Sequence, residues 1–105
     1  MPEHVADLGH FSDPSLLIMA SLAAGPRHGY AMMEDIEAFA HVRLGPGTLY
    51  GALARLEQRG WIEPLPAEDR RRPYRLTAAG AVALREQLTS LEQVATLGLR
   101  RLAAL

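Results

Sequence analysis

Leu84, Leu88, Leu91, Ala95, Gly98, Leu102 and Leu105 recur at intervals that alternate between four and three residues. That is the a/d seam of a heptad helix, sustained over three repeats. A chain of 105 residues has room for one domain, whose single core leaves little stability to spare. The remaining sequence offers only short helices and a hairpin, which do not need so long a stripe. The seam therefore predicts a partner helix from another chain, most simply the same helix in a second copy. The small residues Ala95 and Gly98 let two backbones approach there, or leave space between them.

The segments before the seam are short and well punctuated. Residues 1–11 show no period and read as a flexible N-terminal arm. "SDPSLLIMASLAAG" predicts a helix capped by Ser12 or Asp13, with Pro14 in its first turn and Gly25-Pro26 as its stop. Its expected inner face is Leu16, Leu17, Met19, Ala20 and Ala23. "HGYAMMEDIEAFA" predicts a second helix that buries Met32, Met33, Ile36, Phe39 and Ala40 and turns Glu34, Asp35 and Glu37 to water. "HVRL" reads as a brief edge strand. A third helix runs from about Pro46 to Gln58, with Leu49, Leu53 and Leu56 inward and Gly60 as its stop.

After Gly60 the period changes. "WIEPL" and "YRLT" are extended runs, and the polar, proline-bracketed "PAEDRRRP" lies between them. This predicts a β-hairpin of short, twisted strands with a charged tip. Two helices, a short connection, a third helix and a hairpin spell a winged helix-turn-helix. The fold class expected is mainly α (α+β), a winged helix followed by a long C-terminal helix. Its domain organisation is an arm at 1–11, a DNA-binding unit at 12–77 with the wing at about 61–77, and a dimerisation helix at 78–105.

Charge follows the same layout. The net charge is −1, which by itself says nothing about nucleic acid. Residues 1–44 sum to −4, residues 45–75 to +2 and residues 76–105 to +1. The middle of the chain thus carries a localised anion-binding face. All eleven basic residues are arginine, planar forks suited to phosphates and guanine edges, although a GC-rich genome also explains that usage.

In a helix-turn-helix the second helix of the pair docks by its N-terminal end in the major groove. Here that helix begins "PGTLY". Pro46 and Gly47 carry no bulk to hold the backbone from a phosphate, and first-turn N–H groups attract anions. Thr48 and Tyr50 can hydrogen-bond to phosphates or base edges, and Arg55 lies two turns on from Thr48. Tyr50 can equally pack on the wing, and Arg55 can pair with a carboxylate of its own domain. Arg70, Arg71 and Arg72 read either as a solvated tip or, in a wing beside a duplex, as phosphate contacts, tempered by Glu68 and Asp69. Trp61 is expected as a buried anchor between helix and wing, and Tyr74 as strand packing.

Other chemistry finds little support. There is no cysteine, which excludes disulfides and thiolate sites. The N-terminal stretch lacks the features of a signal peptide, and no apolar run is long enough to span a membrane, so a cytoplasmic protein is expected. His4, His10, His28 and His41 match no metal-binding spacing, and no catalytic triad or carboxylate pair stands out. Neither a metal, a cofactor nor an enzymatic activity is expected.

"HGYAMMEDIE", "PGTLYGALARLEQRGWIE" and "RRRPYRLTAAGAVALRE" together resemble the PadR family of bacterial transcriptional regulators, over about residues 14–90. The resemblance implies a winged-helix homodimer that binds palindromic operator DNA and usually represses. It implies that Pro46–Arg59 is the recognition helix, that Tyr30 sits at backbone phosphates, and that Arg70–Arg72 reach the flanking groove. It also makes the helix from Ala78 the dimerisation element. This sequence departs from the family pattern at Gly45, where serine is common, and at Gly51, where proline is. Its dimerisation helix lacks the tryptophans between which some members hold flat aromatic drugs, so that binding mode does not carry over. A small-molecule effector at the dimer interface, of unknown identity, would release the DNA. The alternative is a winged helix used as a protein–protein interaction module without specific DNA binding, which the acidic first half keeps open.

Overall fold

The computed structural model describes residues 13–105. It contains four helices and one three-stranded antiparallel sheet. The expectations for the arm at 1–11, for a Ser12 cap, and for His4 and His10 lie outside the described residues.

Helix α1 spans Pro14–Leu22, with Asp13 as its cap. The Asp13 carboxylate accepts from the amides of Ser15 (3.1 Å) and Leu16 (3.3 Å). Leu16, Leu17, Ile18, Met19, Ser21 and Leu22 are all buried, while Ala23 is exposed. The buried surface is thus wider than the expected inner face, since it also takes in Ile18, Ser21 and Leu22 and leaves only Ala23 outside. α1 touches α2, α3, the last helix and the wing at once, and a helix apolar all round belongs in such a centre. Gly25 then turns the chain at φ 141°, a backbone conformation open to glycine.

Strand β1 is only Arg27–His28, and it leads directly into α2, Gly29–Ala40. Met32 and Ile36 of α2 are buried. Phe39 is 47% exposed, against expectation. Asp35 also departs from expectation, because it turns inward rather than to water. It accepts a 2.7 Å hydrogen bond from the Ser21 hydroxyl, and the Arg27 guanidinium stands 3.9 Å away. Ser21 is buried, so this acceptor spares its hydroxyl the cost of burial without a partner.

Residues 41–44 form no strand. His41 takes left-handed backbone at φ 57° and ends α2, Arg43 returns to Glu37 at 2.9 Å, and Leu44 drops into the core. Helix α3 spans Pro46–Gln58 and buries Leu49, Ala52, Leu53 and Leu56. Gly60, at φ 74°, stops it as expected.

Strands β2 (Ile62–Pro64) and β3 (Pro73–Leu76) make the wing, with Ile62 opposite Leu76 and Pro64 opposite Tyr74. The other edge of β3 pairs with β1, Arg27 opposite Tyr74, so the sheet order is β1-β3-β2. At the tip, Glu68 and Arg71 exchange two backbone hydrogen bonds around Asp69 (φ 49°) and Arg70 (φ 66°). Two positive φ values in a two-residue hairpin loop mark a type I′ turn, built here without glycine.

The long helix α4, Ala78–Ala103, is capped by Thr77, whose hydroxyl accepts from the Gly80 amide (3.0 Å) and donates to the Gly60 carbonyl (2.7 Å). Gly80 is packed on the Trp61 backbone, and Leu84 joins the core of its own protomer. Leu84 therefore has no side chain free for a second copy, and the open seam starts at Leu88. Leu88, Leu91 and Leu102 are exposed, as are Ala95 and Gly98, and Leu105 lies beyond the helix end. Among the described residues no helix is long and apolar enough to cross a membrane.

Candidate nucleic-acid interface

Gly29 is buried because the side chain of Tyr50 lies across it. A methyl group added there would stand 2.7 Å from the Tyr50 hydroxyl and 3.1 Å from Leu49 Cδ2. The missing Cβ lets α3 lay its phenol over the start of α2. The same place receives the wing tip, because β1 holds β3 beside α2. His28, Gly29, Tyr30, Tyr50, Arg70, Arg71, Arg72 and Tyr74 together line one cleft of about 270 Å³. Five of the residues expected at DNA thus meet there, drawn from α2, α3 and the wing. Tyr30 is 60% exposed and Tyr50 52%, so both side chains are open in part to a partner.

The remaining expected residues lie elsewhere on α3. Pro46, Gly47 and Thr48 are exposed at its start, where Gly45 supplies no side-chain cap. The uncapped amides and the helix dipole favour an anion at that end. Arg55 lies outside the cleft, beside Gly51 on the same helix. It makes no ion pair among the described residues, so its alternative role as an internal partner finds no support there.

The arginines divide by what holds them. Arg75 is paired with Glu63 across the wing, and Arg59 lies over the Trp61 ring at 5.0 Å. Arg72 donates to the Leu65 carbonyl at 3.1 Å and braces the hairpin. Arg71 faces the His28 ring, its Nη1 3.3 Å from Nε2. Arg70 projects from the turn without a hydrogen bond among the described residues. Three cleft residues escaped sequence reasoning in this role, His28, Gly29 and Tyr74. His28 ends β1 and is the cap of α2, its Nδ1 accepting from the Ala31 amide at 3.3 Å. Tyr74 does pack in its strand, as expected, and its hydroxyl is also held above the usual phenol range. Burial is the main cause, followed by the negative charge of Glu57 and the neighbouring Tyr50, with Arg72 opposing. Trp61 is half-buried against the core, between α3 and the wing.

A groove of about 410 Å³ opens between α1, β3 and α4, lined by Ala23, Leu76, Ala81, Leu84 and Leu88 among others. Among the described residues no group of three His, Asp or Glu side chains is placed to hold a metal ion.

A sequence profile of the transcriptional regulator PadR-like family matches residues 18–86. A protein of a Streptomyces fradiae transposon, described as an uncharacterised 37.1 kDa protein, is 45% identical over 83 residues, 79% of this chain and 24% of that one. The chain therefore spans about a quarter of that relative's length. A transcriptional regulator of Mycobacterium tuberculosis is 37% identical over 83 residues, which cover 76% of this chain and 77% of that one. A crystal structure of a PadR family transcription regulator from Clostridium difficile superposes with a TM-score of 0.75 at 22% identity, covering 82% of this chain and 94% of that one. That last likeness is one of fold.

Proposed function

This chain belongs to the PadR-like family of transcriptional regulators, and from that membership we propose that it binds palindromic operator DNA as a homodimer and represses transcription. The observation that carries the reading is the convergence of Tyr30, Tyr50 and the wing arginines on one cleft beside the uncapped start of α3. In this reading the first turn of α3, with Pro46, Gly47 and Thr48, enters the major groove, and Thr48 and Tyr50 approach base edges or phosphates. Arg55 and Arg70–Arg72 take the backbone on either side. Phosphate contacts fix the register of such a complex, and base contacts specify it.

Dimerisation rests on α4. Leu88, Leu91, Ala95, Gly98 and Leu102 form an apolar seam that the protomer leaves uncovered, and a second α4 buries it. The pair then presents two α3 helices to half-sites about 34 Å apart. A small-molecule effector fits the same scheme, with the groove beside Leu84 and Leu88 as its place rather than Ala95 and Gly98. Filling that groove would shift α4 against the wing and change the half-site spacing.

The test is fluorescence anisotropy with DNA from immediately upstream of the protein's own gene, at two salt concentrations and with excess non-specific competitor. The reading expects saturable binding of one dimer per site that survives competitor. It expects affinity to fall with a log–log salt slope of about 0.9 per phosphate contact. Thr48→Ala, Tyr50→Ala and a triple alanine variant of Arg70, Arg71 and Arg72 should each weaken it. Truncating one base-reading residue costs about 1–3 kcal/mol. Wild-type affinity in all three, from folded dimers, refutes the residue assignment. Unchanged DNA binding with loss of a protein complex favours a protein-contact module.

A further inference from the structure

His28 is a cleft residue committed to the fold through one ring nitrogen while the other faces the wing. Its Nδ1 accepts the Ala31 amide at 3.3 Å and caps α2. A neutral imidazole that accepts at Nδ1 must carry its proton on Nε2. Nε2 lies 3.3 Å from Arg71 Nη1, and a guanidinium nitrogen is always a donor. The short contact between wing and helix cap is therefore donor against donor, and it gains nothing as an internal hydrogen bond. The wing's own carboxylates do not relieve it. Glu68 and Asp69 line the neighbouring hollow with His28 and Arg71, yet Arg71 forms no ion pair among the described residues.

Resting on the regulator reading, we propose that His28 and Arg71 form a two-donor fork for one non-bridging phosphate oxygen of the DNA backbone. An anionic oxygen between Nε2–H and Nη1–H turns a repulsive contact into two charge-assisted hydrogen bonds. Tyr30 and Tyr50 line the same cleft, and their hydroxyls are the candidates for the phosphate's other oxygens. His28 does this with a group that the fold needs for another purpose. The cap fixes the ring's tautomer, and the tautomer makes the ring a donor toward the DNA. A phosphate held here ties the wing to the first turn of α2, so this contact sets the wing's approach to the duplex as well as adding affinity.

Two measurements test it. Long-range proton–nitrogen correlation on the free protein, at about pH 8 where an ordinary imidazole is neutral, should report His28 as the Nε2–H tautomer. The Nδ1–H tautomer overturns the fork without any DNA experiment. The second is a cycle of His28→Asn, Arg71→Ala and the double variant, titrated against the operator duplex. Asparagine is a good helix cap, so His28→Asn keeps α2 capped while it is too short to replace Nε2. Its affinity should fall about tenfold or more, as for loss of a hydrogen bond to a charged group. The double variant should lose little beyond Arg71→Ala, since both donors serve one oxygen. Losses that multiply in full, or a His28→Asn protein that binds as wild type, overturn the fork and leave the regulator reading standing. A folded wild-type dimer that binds no duplex refutes the regulator reading itself.

Discussion

Gly80→Ala sets helix propensity against packing, and the structure says which wins. Gly80 is buried in the first turn of α4, and in a helix alanine is favoured over glycine by up to about 1 kcal/mol. At Gly80 the new methyl would overlap the Trp61 carbonyl oxygen. It would also stand 2.9 Å from the Trp61 carbonyl carbon and 3.0 Å from Leu76 Cδ1. The obstacle is mainly backbone, so no side-chain rotation clears it, and α4 must back away from the wing. Overpacking of this kind costs about 1–3 kcal/mol. The retreat also strains the hydrogen bonds from Thr77 to the Gly60 and Trp61 carbonyls, 2.7 and 3.0 Å long, each worth about 0.5–1.5 kcal/mol. The net expectation is a loss of about 1–3 kcal/mol, with a melting temperature lower by about 4–8 °C per kcal/mol. Urea denaturation at several protein concentrations measures it and separates protomer from dimer stability. Gly98→Ala is the control on the same helix. No atom lies within 4 Å of its added methyl, so the protomer gains the propensity term and any loss there reports a second copy. A Gly80→Ala protein as stable as wild type, or more so, would mean that α4 does not rest on the Trp61 backbone.

Gly29→Ala should behave differently, because its closest contact is the end of a movable side chain, the Tyr50 hydroxyl, while the buried Leu49 methyl at 3.1 Å need give only a few tenths of an ångström. Stability should change by less than about 1 kcal/mol. Tyr50 should leave its place over α2, and DNA affinity should drop in anisotropy titrations; unchanged affinity would detach Tyr50 from the interface. Arg70→Gly should raise stability by about 1 kcal/mol, since Arg70 holds the left-handed backbone that glycine adopts freely, while DNA affinity falls. A variant that gains stability without losing affinity would make the arginine incidental. Tyr74 gives a pH signature. Its folded pKa is raised, so its share of stability is fully present below about pH 10, the ordinary phenol value, and is lost as pH rises through the folded value. Denaturation followed between about pH 8 and 11 should show that decline in wild type and a shallower one in Tyr74→Phe.

The parts of the fold that local chemistry encodes are legible in the sequence. α3 begins at its proline, whose ring fixes its own φ, and stops at Gly60, which takes φ 74° at no steric cost. The leucines at 49, 53 and 56 bury themselves because a single face is enough to specify a helix on a core. What stayed hidden depends on distant neighbours. Two residues, Arg27 and His28, become a strand only because β3 arrives beside them from more than forty positions away. "HVRL" looks extended, yet the end of α2 and the demand for Leu44 in the core decide its path. Asp35 stands among acidic neighbours that face water, and the buried Ser21 hydroxyl explains why it turns inward. The seam on α4 was visible as a pattern, but the pattern could not say that Leu84 is spent on its own protomer. The cleft was half legible: tyrosines and arginines announce themselves, whereas a histidine that caps a helix and a tyrosine inside a strand do not.

The order β1-β3-β2 changes what counts as a transferable part. The hairpin looks like an appendage that could be cut at Trp61 and Thr77 and moved to another scaffold. Its inner strand, however, is zipped on its far side to Arg27 and His28, and these open the helix that carries Tyr30. A wing grafted without that dipeptide would arrive with one ladder of β3 unpaired and its tip pointing wherever the new host allowed. In engineering or in recombination between relatives, the smallest exchangeable piece is discontinuous. It is the hairpin together with two residues from the front of the chain.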